Sequence, residues 1–204
     1  AVQSHWFSVG TVVPWAKAGV GAVATQSIAE PSYGPKGLAL MEKGTPADED
    51  LQSLLTKYIG KNVRQVAMVD FQGNVGVHTG SRCISHASHL TGKNYSVQAN
   101  IMAKSTVPSA MVQAFESTTG DLAERMLAAL DAAEAEGGDL RGRQSAAMLV
   151  VSGEPTGDPW TDRIVDLEVA DHENPLIELR RLLRISQAYR HAQRGDEYME
   201  KNEM

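Results

Sequence analysis
The chain is expected to fold as an α+β domain in which two mostly antiparallel sheets carry helices on their outer faces. Three features lead there. Strand signals arrive in adjacent runs, as at 63–71 and 74–79 on either side of Gln72-Gly73, the mark of a hairpin. Helix signals arrive in pairs between such runs, at 36–42 with 45–58 and at 106–116 with 121–136. The strands are apolar on both faces, as in Val66-Ala67-Met68-Val69, so both faces must be covered.

Taken in order, Ala1 to Trp6 reads as strand interior, and a loop holding Pro14, Trp15 and Gly19 leads to a second strand at 20–26. There Gly19, Gly21, Ala22 and Ala24 alternate with Val20 and Val23, and small side chains let a second layer or a ligand approach the backbone. The strand ends on the polar pair Thr25-Gln26, which suits the mouth of a pocket. Pro31-Ser-Tyr-Gly-Pro35 is a turn cluster, and a short helix follows over 36–42 and stops at Gly44. Thr45 then caps a second helix with Pro46 at its first position. Asp48 and Glu49 occupy the first turn, and Leu51, Leu54, Leu55 and Tyr58 line one face.

After the hairpin, 80–92 reads as a polar loop and 95–102 as a strand. Met111 and Phe115 mark the apolar side of the helix at 106–116. Leu122, Met126, Leu127 and Leu130 form the stripe of the helix at 121–136, which Gly137-Gly138 ends. A strongly apolar strand covers 144–152, and a Gly/Pro-rich loop through Trp160 leads to 164–170. In that last strand Val165, Leu167 and Val169 alternate with Asp166 and Glu168. Asn174 caps a long helix that begins at Pro175.

The 204 residues, 42% hydrophobic and 22% charged, fit one globular domain rather than a disordered chain. No apolar run reaches membrane-spanning length, and a formal charge of -6 gives no reason to expect nucleic acid as a partner. The single cysteine excludes an internal disulfide and fits a cytoplasmic setting, a lost signal peptide being the other case. The chain opens inside a strand and closes at Met204 inside a helical pattern, as a piece of a longer protein would.

Five segments in this order, SHWFSVGTVVPWAKAGVGAVATQ, YGPKGL, RQVAMVDFQGNVGVHTG, GRQSAAMLVV and DHENPLIELRRLL, resemble an uncharacterised Ntn-hydrolase-like family, domain of unknown function 1028. The resemblance runs from Ala1 to about Leu183. It implies a four-layer αββα sandwich, in agreement with the element order, and hydrolysis of an amide or similar bond by an N-terminal Thr, Ser or Cys. Family members begin with a further strand and turn, so the implied nucleophile lies upstream of Ala1, whose methyl group cannot replace a hydroxyl or thiol. On that reading the domain is 1–186, lacks its N-terminal strand and is catalytically incomplete. Residues 187–204, with Ala188, Gly195 and Tyr198, are similar to the start of a tetratricopeptide-type repeat, an ordinary solvated helix being the equal alternative.

Candidate site residues lie mostly at strand ends. Ser4 and His5 are adjacent, so in a strand they point to opposite faces and cannot form a nucleophile–base pair. Either one faces a pocket, or Ser4 serves the sheet while His5 packs on Trp6 or Trp15. Thr25 and Gln26 either cap the following turn or orient a carbonyl. His78 ends the hairpin as a proton-transfer group or a structural histidine. Asn100 ends a strand, where it forms a turn or, in the family-like reading, supplies an oxyanion-hole amide. Arg141, Arg143, Gln144 and Ser145 precede the strongest core strand, and an arginine there could hold a substrate carboxylate or balance surface charge. Ser4, His5, Gln26, His78 and Asn100 are expected to approach one pocket. Glu154, Asp158 and Asp162 read as solvated.

Cys83, His86 and His89 form C-x2-H-x2-H, with His78 as a fourth candidate zinc ligand. The spacing is shorter than usual and no partner pair exists, so neither a metal nor another cofactor is expected. Three functions compete: a small-molecule amidohydrolase, a non-catalytic ligand-binding or scaffold domain on the same fold, and a metal-dependent hydrolase at the Cys83 loop. The expected partner is a small-molecule substrate, with assembly into a homodimer compatible.

Overall fold
Strand alternation determines which layer each side chain joins. The structure, a computed structural model, describes residues 1–202. One sheet has the order β2 (Pro14–Lys17), β3 (Gly21–Ser27), β4 (Arg64–Asp70), β5 (Val75–Thr79), and every pairing in it is antiparallel. The second has the order β1 (Val2–Ser4), β8 (Ser145–Val151), β9 (Arg163–Val169), also antiparallel. A ribbon of β6 (Ser88–Gly92) and β7 (Tyr95–Ala99) stands apart in pairing.

Val23, Val66 and Met68 turn outward and bury against α1 (Tyr33–Met41) and α2 (Ala47–Lys57), meeting Tyr33, Leu38, Leu51 and Leu54. On the other sheet Ala146, Met148 and Val150 turn toward α4 (Leu122–Ala135) and α5 (Pro175–Asn202), meeting Leu127, Leu130, Leu179 and Leu183. Val2, Val13 and Ala147 pack with Ala24 between the sheets. The result is the four-layer αββα sandwich. The β7 residues Val97 and Ala99 bury against α3 (Val107–Ser117), through Val107, Met111 and Phe115.

Several local expectations are corrected by packing. The first strand ends at Ser4 rather than Trp6, because the buried Ser145 hydroxyl holds the chain in a turn: it donates to the Trp6 carbonyl and accepts from Val9 N at 3.1 Å. Pro14 and Trp15 belong to a strand, not a loop. β2 is an edge, where a proline without an N–H is tolerated. The polar loop at 80–92 contains β6, an edge strand whose polar sequence hides it. The strand from Tyr95 stops at Ala99, since Ile101 takes a left-handed φ of 60°.

Helix boundaries also shift. Helix α1 starts at Tyr33, ahead of the expected Lys36, and α2 starts at Ala47, whose N–H is capped from outside by the Asp70 carboxylate at 3.0 Å. Leu122 of the expected stripe is exposed, and Ala123 takes the inward position. Asp162 is buried rather than solvated and accepts 2.9 Å bonds from both the amide and the hydroxyl of Thr156. Helix α5 runs without interruption across the expected boundary at 186/187, and the last two residues of the 187–204 segment lie outside the described residues. No helix among the described residues is long and apolar enough to cross a membrane.

One glycine sets how closely α1 packs on β2. A Cβ on Gly34 would sit 2.2 Å from the Trp15 ring, whose indole N–H donates to the Val12 carbonyl at 2.9 Å. Gly34→Ala is therefore expected to destabilise the fold by about 1–3 kcal/mol through overpacking. Tryptophan fluorescence should shift as Trp15 moves. A variant with unchanged emission and melting temperature would contradict this packing.

Candidate functional site
Between the two sheets lies a cleft of about 870 Å3, within the roughly 300–1,000 Å3 range of small-molecule sites. Its floor is made of small residues on the inward faces of β3 and β4, notably Ala22, Ala24 and Ala67, and of Leu149 from β8. A strand can present a broad flat floor only where inward side chains are short, so the small-residue pattern of 19–24 opens this space. Phe115 supplies aromatic wall.

Part of its wall is polar. Ser4, Gln26, Gln98, Asn100, Asp139 and Arg141 line it, and Lys17 and Ser152 line it elsewhere. The Arg141 guanidinium is clamped to Asp139 through Nε at 3.0 Å and Nη2 at 2.6 Å, and Nη2 also lies 3.5 Å from Ser4 Oγ. The bond to Asp139 raises the guanidinium's already high pKa, so the charge is permanent.

Behind that wall sits Gln65, fully buried and missed in the sequence. Its Nε2 faces Thr79 Oγ1 at 2.8 Å, the Ser88 carbonyl at 3.2 Å and the Ala99 carbonyl at 3.0 Å. Its Oε1 accepts from Gln26 Nε2 at 2.8 Å and from Asn100 Nδ2 at 3.1 Å. One side chain thus fastens β4 to the β6–β7 ribbon and to both wall amides. A glutamine opening an apolar strand looks like a solvated strand end, and nothing in its local sequence marks it as a hub.

The backbone beside both amides is strained. Ser27 follows Gln26 at φ 70°, and Ile101 follows Asn100 at φ 60°. A left-handed conformation costs a non-glycine residue about 1–2 kcal/mol, and for β-branched Ile101 it is a genuine outlier. Ile101 is held there by bonds to the Ile84 carbonyl at 3.3 Å and from Leu140 N at 2.9 Å. Strain of this kind concentrates where a chain must aim a side chain.

Of the sequence candidates, the structure brings Ser4, Gln26, Asn100 and Arg141 onto the cleft and leaves the others elsewhere. His5 sits exposed in the bend after β1. Thr25 points to the opposite face, fully buried, where its hydroxyl bonds the Glu30 carbonyl at 3.2 Å and so fixes the turn after β3. A ring nitrogen of His78 lies 2.8 Å from the Lys61 carbonyl. Arg143 pairs with Glu134 at 3.2 Å, Gln144 donates to Asp171 at 3.1 Å, and Ser145 holds the Trp6–Val9 turn.

Cys83, His86 and His89 line a separate open hollow. They do not converge as ligands: no group of three His, Cys, Asp or Glu able to hold a metal occurs among the described residues. Cys83 donates its thiol to the Arg64 carbonyl at 3.3 Å, and His89 Nδ1 meets Thr79 Oγ1 at 2.8 Å. Burial, with a smaller contribution from His78, lowers the His89 pKa and favours its neutral form.

Fold and cleft together define an α+β sandwich domain with a large cavity between its sheets and amide groups on its wall. The chain belongs to the family of unknown function DUF1028, whose model matches residues 1–179. It is similar to the crystal structure of a Silicibacter pomeroyi protein of that family. The two are 27% identical, with a TM-score of 0.80 over 90% of this chain and 80% of that one. Among curated proteins none matches it.

Proposed function
We propose that the cleft binds a small molecule with an apolar body and an amide-type polar end, and that the protein acts on this molecule as an Ntn-type amide hydrolase. The observation that carries the reading is the cleft itself, a large and mainly apolar space where the wall amides of Gln26 and Asn100 meet at Gln65. The hydrolytic part rests on the likeness of the segments at 4–26 and 64–80 to Ntn-hydrolase-like proteins.

The wall supplies binding groups rather than a nucleophile. None of its serines bonds a histidine or a carboxylate among the described residues: Ser4 meets Arg141, Ser96 meets Gln98, and Ser152 donates to the Glu154 carbonyl. A serine without such a base is a poor nucleophile. On this reading the nucleophile is an N-terminal Thr, Ser or Cys of the kind the family resemblance implies, not one of these wall serines. A purely ligand-binding role is the second reading, favoured by the same lack of a nucleophile–base pair.

Two measurements test this. Calorimetry of the 204-residue protein against small amides and cyclic amides is expected to show binding, and Ala22→Phe, which fills the floor of the cleft, is expected to abolish it while preserving the circular dichroism spectrum. Turnover is expected only in a longer form carrying the nucleophile. Binding unaffected by Ala22→Phe would remove the cleft from consideration. Binding without turnover in the longer form would establish the ligand-binding role instead.

A further inference from the structure
We propose that Gln26 and Asn100 form a subsite for the head of a carboxamide, ureide or cyclic amide, and that Gln65 is the positioning residue that sets its hydrogen-bonding polarity. The inference deepens, and rests on, the reading of the cleft as a small-molecule site.

The argument starts from which end of each amide can be oxygen. Gln65 faces the carbonyls of Ser88 and Ala99, and a carbonyl can only accept, so the group facing them is the Gln65 NH2. Its Oε1 must then point the other way, toward Gln26 and Asn100. An oxygen there requires donors, so both wall residues turn their NH2 groups inward. Gln26 Oε1 and Asn100 Oδ1 consequently face away from Gln65, and neither accepts a hydrogen bond from a described residue. Neither oxygen is a fully buried atom without a partner, so each keeps solvent contact, and both residues line the cleft.

Two backbone carbonyls thereby fix the polarity of two exposed amides one relay away. The two wall nitrogens share one acceptor, which keeps them within about 6 Å of each other and so brings the two amide groups side by side. Gln98 lines the same cleft, and its Oε1 accepts from Ser96 at 3.1 Å, so its NH2 is a donor toward that space. The subsite offers two carbonyl acceptors, the complement of an amide's N–H groups. A carboxylate has only acceptors and would meet the two carbonyl oxygens unfavourably. The left-handed residues Ser27 and Ile101 immediately follow the two wall amides, so backbone strain is concentrated where these heads are aimed.

The test uses benzamide and benzoate, which share an apolar body and differ in the head group, titrated into the 204-residue protein by calorimetry or ligand-observed NMR. Benzamide is expected to bind at least about tenfold more tightly. Gln26→Met and Asn100→Leu should each erase most of that preference, since each removes one acceptor. Gln65→Met should also weaken it, because Asn100 is then free to turn over and Gln26 keeps only its 3.5 Å bond to the Gln98 carbonyl. If Gln65→Met fails to fold, the two wall variants carry the test alone. Equal affinities for the two probes, or a preference that survives both wall substitutions, would overturn the subsite while leaving the cleft in place. Binding of neither probe would overturn the cleft reading as well.

Discussion
Replacing Asp50 with asparagine is expected to raise the melting temperature by roughly 6–12 °C at pH 7.5 and to leave it nearly unchanged at pH 3.5. Asp50 lies in the first turn of α2 and is fully buried, and neither carboxylate oxygen has a hydrogen-bond partner among the described residues. Burial, partly offset by the charge of Lys57, lifts its pKa from 3.8 to about 6. A carboxylate at a helix N-terminus gains only about 0.3–1 kcal/mol from the helix dipole, less than this desolvation costs.

The sign follows from linkage. Below pH 3.8 the group is protonated in both folded and unfolded chains and costs nothing through ionisation. Between pH 3.8 and about 6 the unfolded chain releases its proton while the folded one keeps it, so stability falls as pH rises. Above that window the loss levels off at about 3 kcal/mol, from 1.36 kcal/mol per pKa unit. Urea unfolding of both proteins at several pH values checks it. Curves that run parallel from pH 3.5 to 7.5 would show that Asp50 does not titrate in this way.

Asp70 has the opposite character, and Asp70→Ala is expected to cost about 3–5 kcal/mol at neutral pH. Its carboxylate accepts from the backbone N–H groups of Gln72 and Asn74 at 3.0 Å each, from Asn74 Nδ2 at 2.9 Å and from Ala47 N at 3.0 Å. It therefore closes the β4–β5 turn and caps α2 in one stroke. Burial pushes its pKa up, but the bonds from Asn74, Ala47 and Gln72 outweigh that and hold it below the usual range. With a depressed pKa, the stabilisation is present above the ordinary carboxylate range and is lost as pH falls through the folded-state value. The wild-type advantage over Asp70→Ala should thus shrink in acid, whereas the advantage of Asp50→Asn over wild type grows toward neutral pH. Asp70→Asn should be milder, since one amide oxygen remains. A loss below about 1 kcal/mol for Asp70→Ala would mean that α2 is held by its apolar face alone.

The two aspartates show how differently sequence and structure inform. Asp48 and Glu49 are correctly read as first-turn acids of α2, a local preference of a helix N-terminus. Asp50 stands beside them and reads the same way, yet the rotation of the helix drives it into the core. Asp70 sits at a hairpin end, where aspartate commonly serves its own turn. Its second role, capping a helix that begins 23 residues earlier, needs the tertiary contact.

Local chemistry alone determined much of the architecture. Strands apolar on both faces require cover on both faces, paired helices provide it, and Asp121 with Glu124 closes a capping box that could be anticipated from three-residue spacing. The small residues of 19–24 likewise announced close approach, and the cleft lies over them. Tertiary structure alone decided which polar groups meet. Period-two alternation assigns a side chain to a face but says nothing of what crosses that face, so Thr25 and Gln26 looked equivalent while only Gln26 reaches the cleft. The edge strands β2 and β6 were hidden because an edge needs neither apolar faces nor a full set of backbone donors. Gln65 became the hub of Gln26 and Asn100 through the pairing of β3 with β4 and the docking of the β6–β7 ribbon against them. Those contacts join residues 35 and 39 positions apart, beyond the reach of any local pattern.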